Sequence, residues 1–185
     1  MYFDSPGPEN TGETVKIAIR EAKEKKVPHI VAASNTGVTA FALAEESRKQ
    51  GYEGKIVCVT HVYGFKDIGE NELSDENRKE LSKQGVLVCT AAHVLSGAER
   101  GMSRKFQGVY PVEIIAHTLR MLGQGTKVCV EIAAMALDAG LIPHGKQLIC
   151  LGGTGRGADT AAILSPAYTS SILETKIHEI LCKPR

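Results

Sequence analysis

The chain has 185 residues, 43% apolar and 23% charged, with 22 basic side chains against 21 acidic ones and a net charge of +1. This balance excludes disorder driven by charge repulsion and the extended basic face that nucleic acids require. The longest apolar stretch, Val128 to Ile142, is broken by Glu131 and Asp138 and falls short of the roughly 20 residues of a membrane helix.

Asn10 and Thr11 can cap a helix running to about Lys25, with Val15, Ile17, Ala18 and Ala22 on its apolar side. His29 to Ala33 then reads as a buried strand that enters the polar turn Ser34-Asn35-Thr36-Gly37, and Val38 to Lys49 has helical spacing. The alternation continues with a strand Lys55 to Thr60, a loop, a helix Ser74 to Gln84, a strand Val86 to Thr90 and a long loop Ala91 to Tyr110. Pro111 starts a helix ending near Leu122, followed by Gly123, which is the usual placing of Pro and Gly. Thr126 to Ala139 is apolar on nearly every face and reads as a buried helix. A strand Gln147 to Leu151 follows, then Gly152-Gly153-Thr154-Gly155-Arg156-Gly157. Pro166 stops any helix after that loop, so Ala161 to Leu164 and Ile177 to Cys182 are expected to pair as antiparallel strands finishing the sheet.

Strands alternating with helices imply a parallel sheet. The expected fold is α/β, a three-layer sandwich with a mainly parallel sheet and an antiparallel last strand, forming a single domain over residues 1–185. The start, Met1 to Pro6, has neither the basic nor the apolar region of a signal peptide, which gives a cytoplasmic expectation with no membrane partner. Five scattered cysteines with no C-x-x-C spacing read as buried hydrophobes, so no metal site is expected.

In a parallel sheet the loops Ser34 to Gly37, His61 to Gly69, Ala91 to Tyr110 and Gly152 to Ala158 share the carboxyl edge, where open α/β sheets bind ligands. Ser34, Asn35, Thr36 and Gly37, with Thr39 in the first helical turn, form either an ordinary cap or an anion-holding helix start. Gly153, Thr154, Gly155, Arg156 and Gly157 form either an anion- or ring-contacting turn or a flexible surface turn. They are not a dinucleotide fingerprint, which needs a full helix and second strand beyond the glycines. Tyr63, Phe65, Met102, Phe106 and Tyr110 can line a cleft for a planar ring or pin the loops to the body. Lys66, Arg100, Arg104 and Lys105 meet a phosphate or solvent, and His61 and His93 are the histidines placed for acid–base work. No partner residue identifies a catalytic group, and Lys127 with Glu131 reads as a helical ion pair.

Gly7-Pro8-Glu9-Asn10-Thr11, His29 to Gly37, Val128 to Ala133 and Gly153 to Ala161 resemble an archaeal family related to the C-terminal domain of pyruvate kinase, and the likeness spans almost the whole chain. The resemblance implies that Ser34, Asn35, Thr36, Gly37 and Thr39 occupy the turn that holds a phosphate of a sugar bisphosphate effector in pyruvate kinase. Val38 stands where that turn carries a basic residue. The archaeal family is associated with flavin mononucleotide (FMN), which implies FMN as cofactor, with His61, Tyr63 and the Gly153–Gly157 loop beside it. Kinase activity is not implied, because the catalytic barrel is outside these residues. The expected function is binding of a phosphorylated small molecule, FMN foremost. The alternatives are a flavin-dependent oxidoreductase and a sugar-phosphate effector domain, either of them open to homo-oligomerisation.

Overall fold

Seven strands make one sheet in the order β1-β7-β6-β5-β2-β3-β4. The computed structural model describes residues 1–185. The strands are β1 Tyr2–Phe3, β2 His29–Ala33, β3 Lys55–Val59, β4 Leu87–Cys89, β5 Leu148–Gly152, β6 Thr160–Ser165 and β7 Lys176–Pro184. The helices are α1 Thr11–Glu24, α2 Val38–Gln50, α3 Asp75–Lys83, α4 Gly97–Phe106, α5 Pro111–Arg120 and α6 Gln124–Asp138. None is long and apolar enough to cross a membrane.

The four strands expected at His29, Lys55, Val86 and Gln147 lie side by side and parallel. The pairings β5–β6 and β6–β7 are both antiparallel, so β6 opposes the block and β7 returns to its sense. β1 then pairs parallel with β7, Tyr2 opposite Lys183.

The two-residue period of each strand sorts its side chains into two cores. Ile30, Ala32, Ile56, Cys58, Ile149, Leu151, Ala161 and Ile163 face α1 and α2. Val31, Val57, Val59, Leu148, Cys150, Ala162 and Leu164 face α6. Helices on both faces make the three layers, with α5 packed outside α6 against Val130. α6 is buried along almost its whole length because it lies between the sheet and α5.

Two elements were not expected. Residues 91 to 110 are not all loop: α4 occupies Gly97–Phe106, and no residue of it is buried. Its place is fixed from outside, by Glu99 Oε1 accepting the N–H of Val112 at 2.8 Å at the start of α5. The two-residue β1 is too short for any periodic signal.

Candidate functional site

β2 and β3 end in register, Ala33 opposite Val59, and the Ser34 N–H donates to Val59 O at 2.9 Å. The chain then turns sharply into α2. Gly37 makes the turn with φ of +97°, a left-handed conformation that side chains resist. Ser34 Oγ accepts the N–H of Ala40 at 3.3 Å and so caps α2, while Asn77 Nδ2 holds Thr36 O at 3.1 Å. The N–H groups of Asn35, Thr36 and Gly37 and the side chains of Asn35, Thr36 and Thr39 have no protein partner. Thr39 is nevertheless only 3% exposed.

The second glycine-rich loop is held from beneath by Asp159, which is fully buried. Its Oδ2 accepts the N–H groups of Thr154 at 3.2 Å and Gly7 at 3.3 Å, and its Oδ1 accepts the Thr160 hydroxyl at 2.8 Å. The Ala158 N–H donates to Thr11 Oγ1 at 3.0 Å. Residues 7–11 are thereby fastened to the loop and become a wall of the site.

Between these two loops lies a cleft of about 580 Å³. Of the residues singled out in the sequence, Ser34, Asn35, Thr36, Thr39, His61, Gly153, Gly155, Arg156 and Gly157 line it. Gly37, Tyr63 and Thr154 do not. A Cβ on Gly37 would face Leu73 Cδ1 and Phe41 Cε2, each at 3.1 Å, so this glycine serves the turn and not a close approach to a ligand. Tyr63 is 54% exposed, and the Thr154 N–H is turned down to Asp159. Of the five large loop side chains only Phe65 reaches the cleft, while Met102 and Phe106 are exposed on α4.

Sequence reading missed Pro8, Thr11, Glu72 and Gln124 as lining residues. In the sequence, Thr11 reads as a helix cap and Gly7 to Thr11 as part of a family resemblance, and neither reading places the segment at the ligand edge. Glu72 carries no spacing signal, since it meets His61 by a loop that folds back. His61 Nδ1 is 2.6 Å from Glu72 Oε2, its ring centroid is 3.7 Å from that of Phe65, and Asn71 Nδ2 donates to its carbonyl at 2.8 Å. His93 stands 5.3 Å from both rings. Burial holds the His93 imidazole below its ordinary range, and the His61 and Lys127 charges act in the same direction against an opposing pull from Glu131.

Behind the cleft a smaller chamber of about 170 Å³ is lined by His93, Arg100, Arg120, Lys127 and Glu131, and it shares Asn35, His61 and Phe65 with the cleft. Lys127 and Glu131 do form the expected i,i+4 pair, but inside the protein, at 5% and 7% exposure. Glu131 Oε1 also accepts the N–H of Leu95 at 3.0 Å. Burial pulls the Lys127 ammonium below its ordinary range, with Glu131 opposing that shift.

The sequence profile of the family described as "Pyruvate kinase, alpha/beta domain" matches residues 13–164. Among solved structures, the chain is similar to Cryptosporidium parvum pyruvate kinase in complex with ADP, at 15% identity and TM-score 0.39 over 94% of this chain and 24% of that one. A second Cryptosporidium parvum pyruvate kinase structure matches at 15% identity and TM-score 0.39, over 85% of this chain and 23% of that one. The chain thus spans about a quarter of the length of these enzymes.

Proposed function

Because the chain belongs to the pyruvate kinase alpha/beta domain family, we propose that its cleft binds a phosphorylated small molecule with the phosphate on the Ser34–Thr39 turn. One observation carries this reading. The N–H groups of Asn35, Thr36 and Gly37 and the cleft-facing Thr39 hydroxyl lack protein acceptors at the start of α2, where the helix dipole adds positive potential. Arg156 lines the opposite side and adds a permanent cation.

FMN is the ligand we assign. Its phosphate suits the turn, the paired rings of Phe65 and His61 offer a flat contact beside it, and the cleft volume is that of ordinary small-molecule sites. A bound flavin would be the premise of any oxidoreductase activity, for which no catalytic residue is assigned. A sugar phosphate is the second reading, favoured by the polar lining and by Phe65 being the one aromatic ring besides His61 in the cleft.

Calorimetric titration with FMN, riboflavin and fructose 6-phosphate tests both. Hydrogen bonds to charged groups contribute about 1.5 to 3 kcal/mol each, so riboflavin is expected to bind at least roughly tenfold more weakly than FMN. Equal affinities would reject phosphate anchoring. Fructose 6-phosphate binding without FMN binding would replace the first ligand by the second.

A further inference from the structure

The cleft lining contains one permanent cation, Arg156, and one carboxylate, Glu72, whose formal charges cancel. A phosphate monoester above neutral pH carries nearly two negative charges, and the turn from Ser34 to Thr39 contains no Lys or Arg. The charge that such a ligand requires has to come from elsewhere.

His61 is the titratable group in position to supply it. It follows β3 as Asn35 follows β2, the two line the same cleft, and the strands beneath them are in register. Its Nδ1 is engaged by Glu72 at 2.6 Å, Phe65 lies against its ring, and its Nε2 has no protein partner. This is more positioning than a loop histidine needs for packing. We infer that His61, held by Glu72, is the proton-accepting charge partner of the ligand's phosphate, so that binding takes up one proton from solvent at His61. The inference rests on the phosphate reading of the cleft.

The groups around His61 are consistent with uptake on binding. The charged groups that face His61 are Glu72 on its Nδ1 side, Arg156 across the cleft, and Arg100, Arg120 and Lys127 in the chamber behind it. Lys127 is already matched by Glu131. Burial holds the His93 imidazole below its ordinary range, which makes it a poorer acceptor of that proton. An arriving dianion adds two negative charges beside the free Nε2 of His61, which is the new attraction for a proton.

Between about pH 7 and pH 9 a phosphate monoester stays dianionic, so any proton taken up belongs to the protein. Calorimetry of FMN and of fructose 6-phosphate in buffers of different ionisation enthalpy counts that proton. The expected result is net uptake approaching one proton, with affinity falling by up to about tenfold per pH unit across the window. Both effects should vanish in His61→Gln, and in Glu72→Gln they should move to lower pH. Binding to the parent protein without proton uptake, or uptake that survives in folded His61→Gln, overturns the inference and leaves the phosphate reading intact. Failure of both probes to bind the parent overturns the two together. Should His61→Gln not fold, the NMR shift of the His61 Cε1–H in the parent decides: FMN should move it to the imidazolium position at about pH 8, and an unmoved signal overturns the inference.

Discussion

Gly157 and Pro8 stand so close that a Cβ at position 157 would lie 2.6 Å from Pro8 Cα. The Thr11 hydroxyl crowds the same spot, and Gly157 has φ of +71°, where a side chain is strained regardless of space. Gly157→Ala is therefore expected to cost about 2 kcal/mol or more, from left-handed strain of about 1 to 2 kcal/mol together with the clash. It should also weaken FMN binding, because the loop can relieve the contact only by moving off residues 8–11. Denaturant unfolding and FMN titration check both effects, and a variant that matches the parent in each would mean that the two segments part freely.

The cap of α2 and its unpartnered donors are separable. Ser34→Ala removes the acceptor of the Ala40 N–H and should cost about 1 kcal/mol of stability. Thr36→Ala removes a hydroxyl with no protein partner, so its stability should stay within about 0.5 kcal/mol of the parent while FMN affinity drops. Comparable destabilisation by the two variants would assign the cap to both residues.

Thr39→Val keeps the shape of the side chain and removes a hydroxyl that opens to the cleft and has no protein partner. Its melting temperature should stay close to that of the parent, because the hydroxyl faces the cleft and gives up no protein hydrogen bond. FMN affinity should fall about tenfold, as expected for one lost hydrogen bond to a charged group. Riboflavin affinity should not change, and an equal loss for both ligands would place the hydroxyl away from the phosphate.

Glu131→Ala leaves the buried Lys127 ammonium unpaired and the Leu95 N–H without its acceptor. A loss of about 3 to 5 kcal/mol is expected, and joint replacement by Lys127→Met and Glu131→Leu should restore the part due to the unpaired charge, while the Leu95 N–H stays without its acceptor. Urea unfolding of the three proteins decides whether the pair is a stability asset or only a matched burden.

Burial pushes the Cys58 thiol up to about 12, with the Arg78 charge pulling slightly back. A folded-state value above the unfolded one keeps its full stabilisation below the unfolded thiol's titration and loses it as pH rises toward the folded value. Stability should consequently decline from near pH 9 upward, by an amount on the order of 4 kcal/mol for this thiol across the whole window. Lys127 acts with the opposite sign just below its ordinary titration, because burial lowers it. Cys58→Val should flatten the decline between pH 8.5 and 10, measured by urea unfolding; an unchanged slope would assign it to other groups.

The parallel block was readable because runs such as His29–Ala33 and Leu148–Gly152 are short, apolar and bounded by turn residues. Burial on both faces leaves a strand no other composition. α4 was not readable, since Gly97 and Gly101 lie inside it and its short stripe of Ala98, Met102 and Phe106 is no longer than a loop's scattered apolar residues. The two glycine-rich turns were found through backbone chemistry that is local in sequence. The contact between His61 and Glu72, the wall at Pro8 and Thr11, and the burial of Lys127 depend on how distant segments meet, and no spacing encodes that. Of the two roles open to Met102, Phe106 and Tyr110, lining a ring or pinning a loop, the cleft takes none of the three, because a loop's composition does not say which way the loop leans.

The pairing of β1 with β7 joins residues 2 and 3 to residues 183 and 184, the longest chain closure in the sheet. Two residues of ladder return little for ordering so long a loop, so this seam should form after the rest of the sheet and come apart first. The amides of Lys183 and Arg185, which donate to Met1 O and Phe3 O, should accordingly exchange with deuterium well before those of β2 or β5. Pro8 and Thr11 follow β1 directly, so one wall of the cleft is hinged on the least durable seam of the sheet. Ligand held against that wall should protect the distant amides of residues 183 and 185 from exchange without touching them.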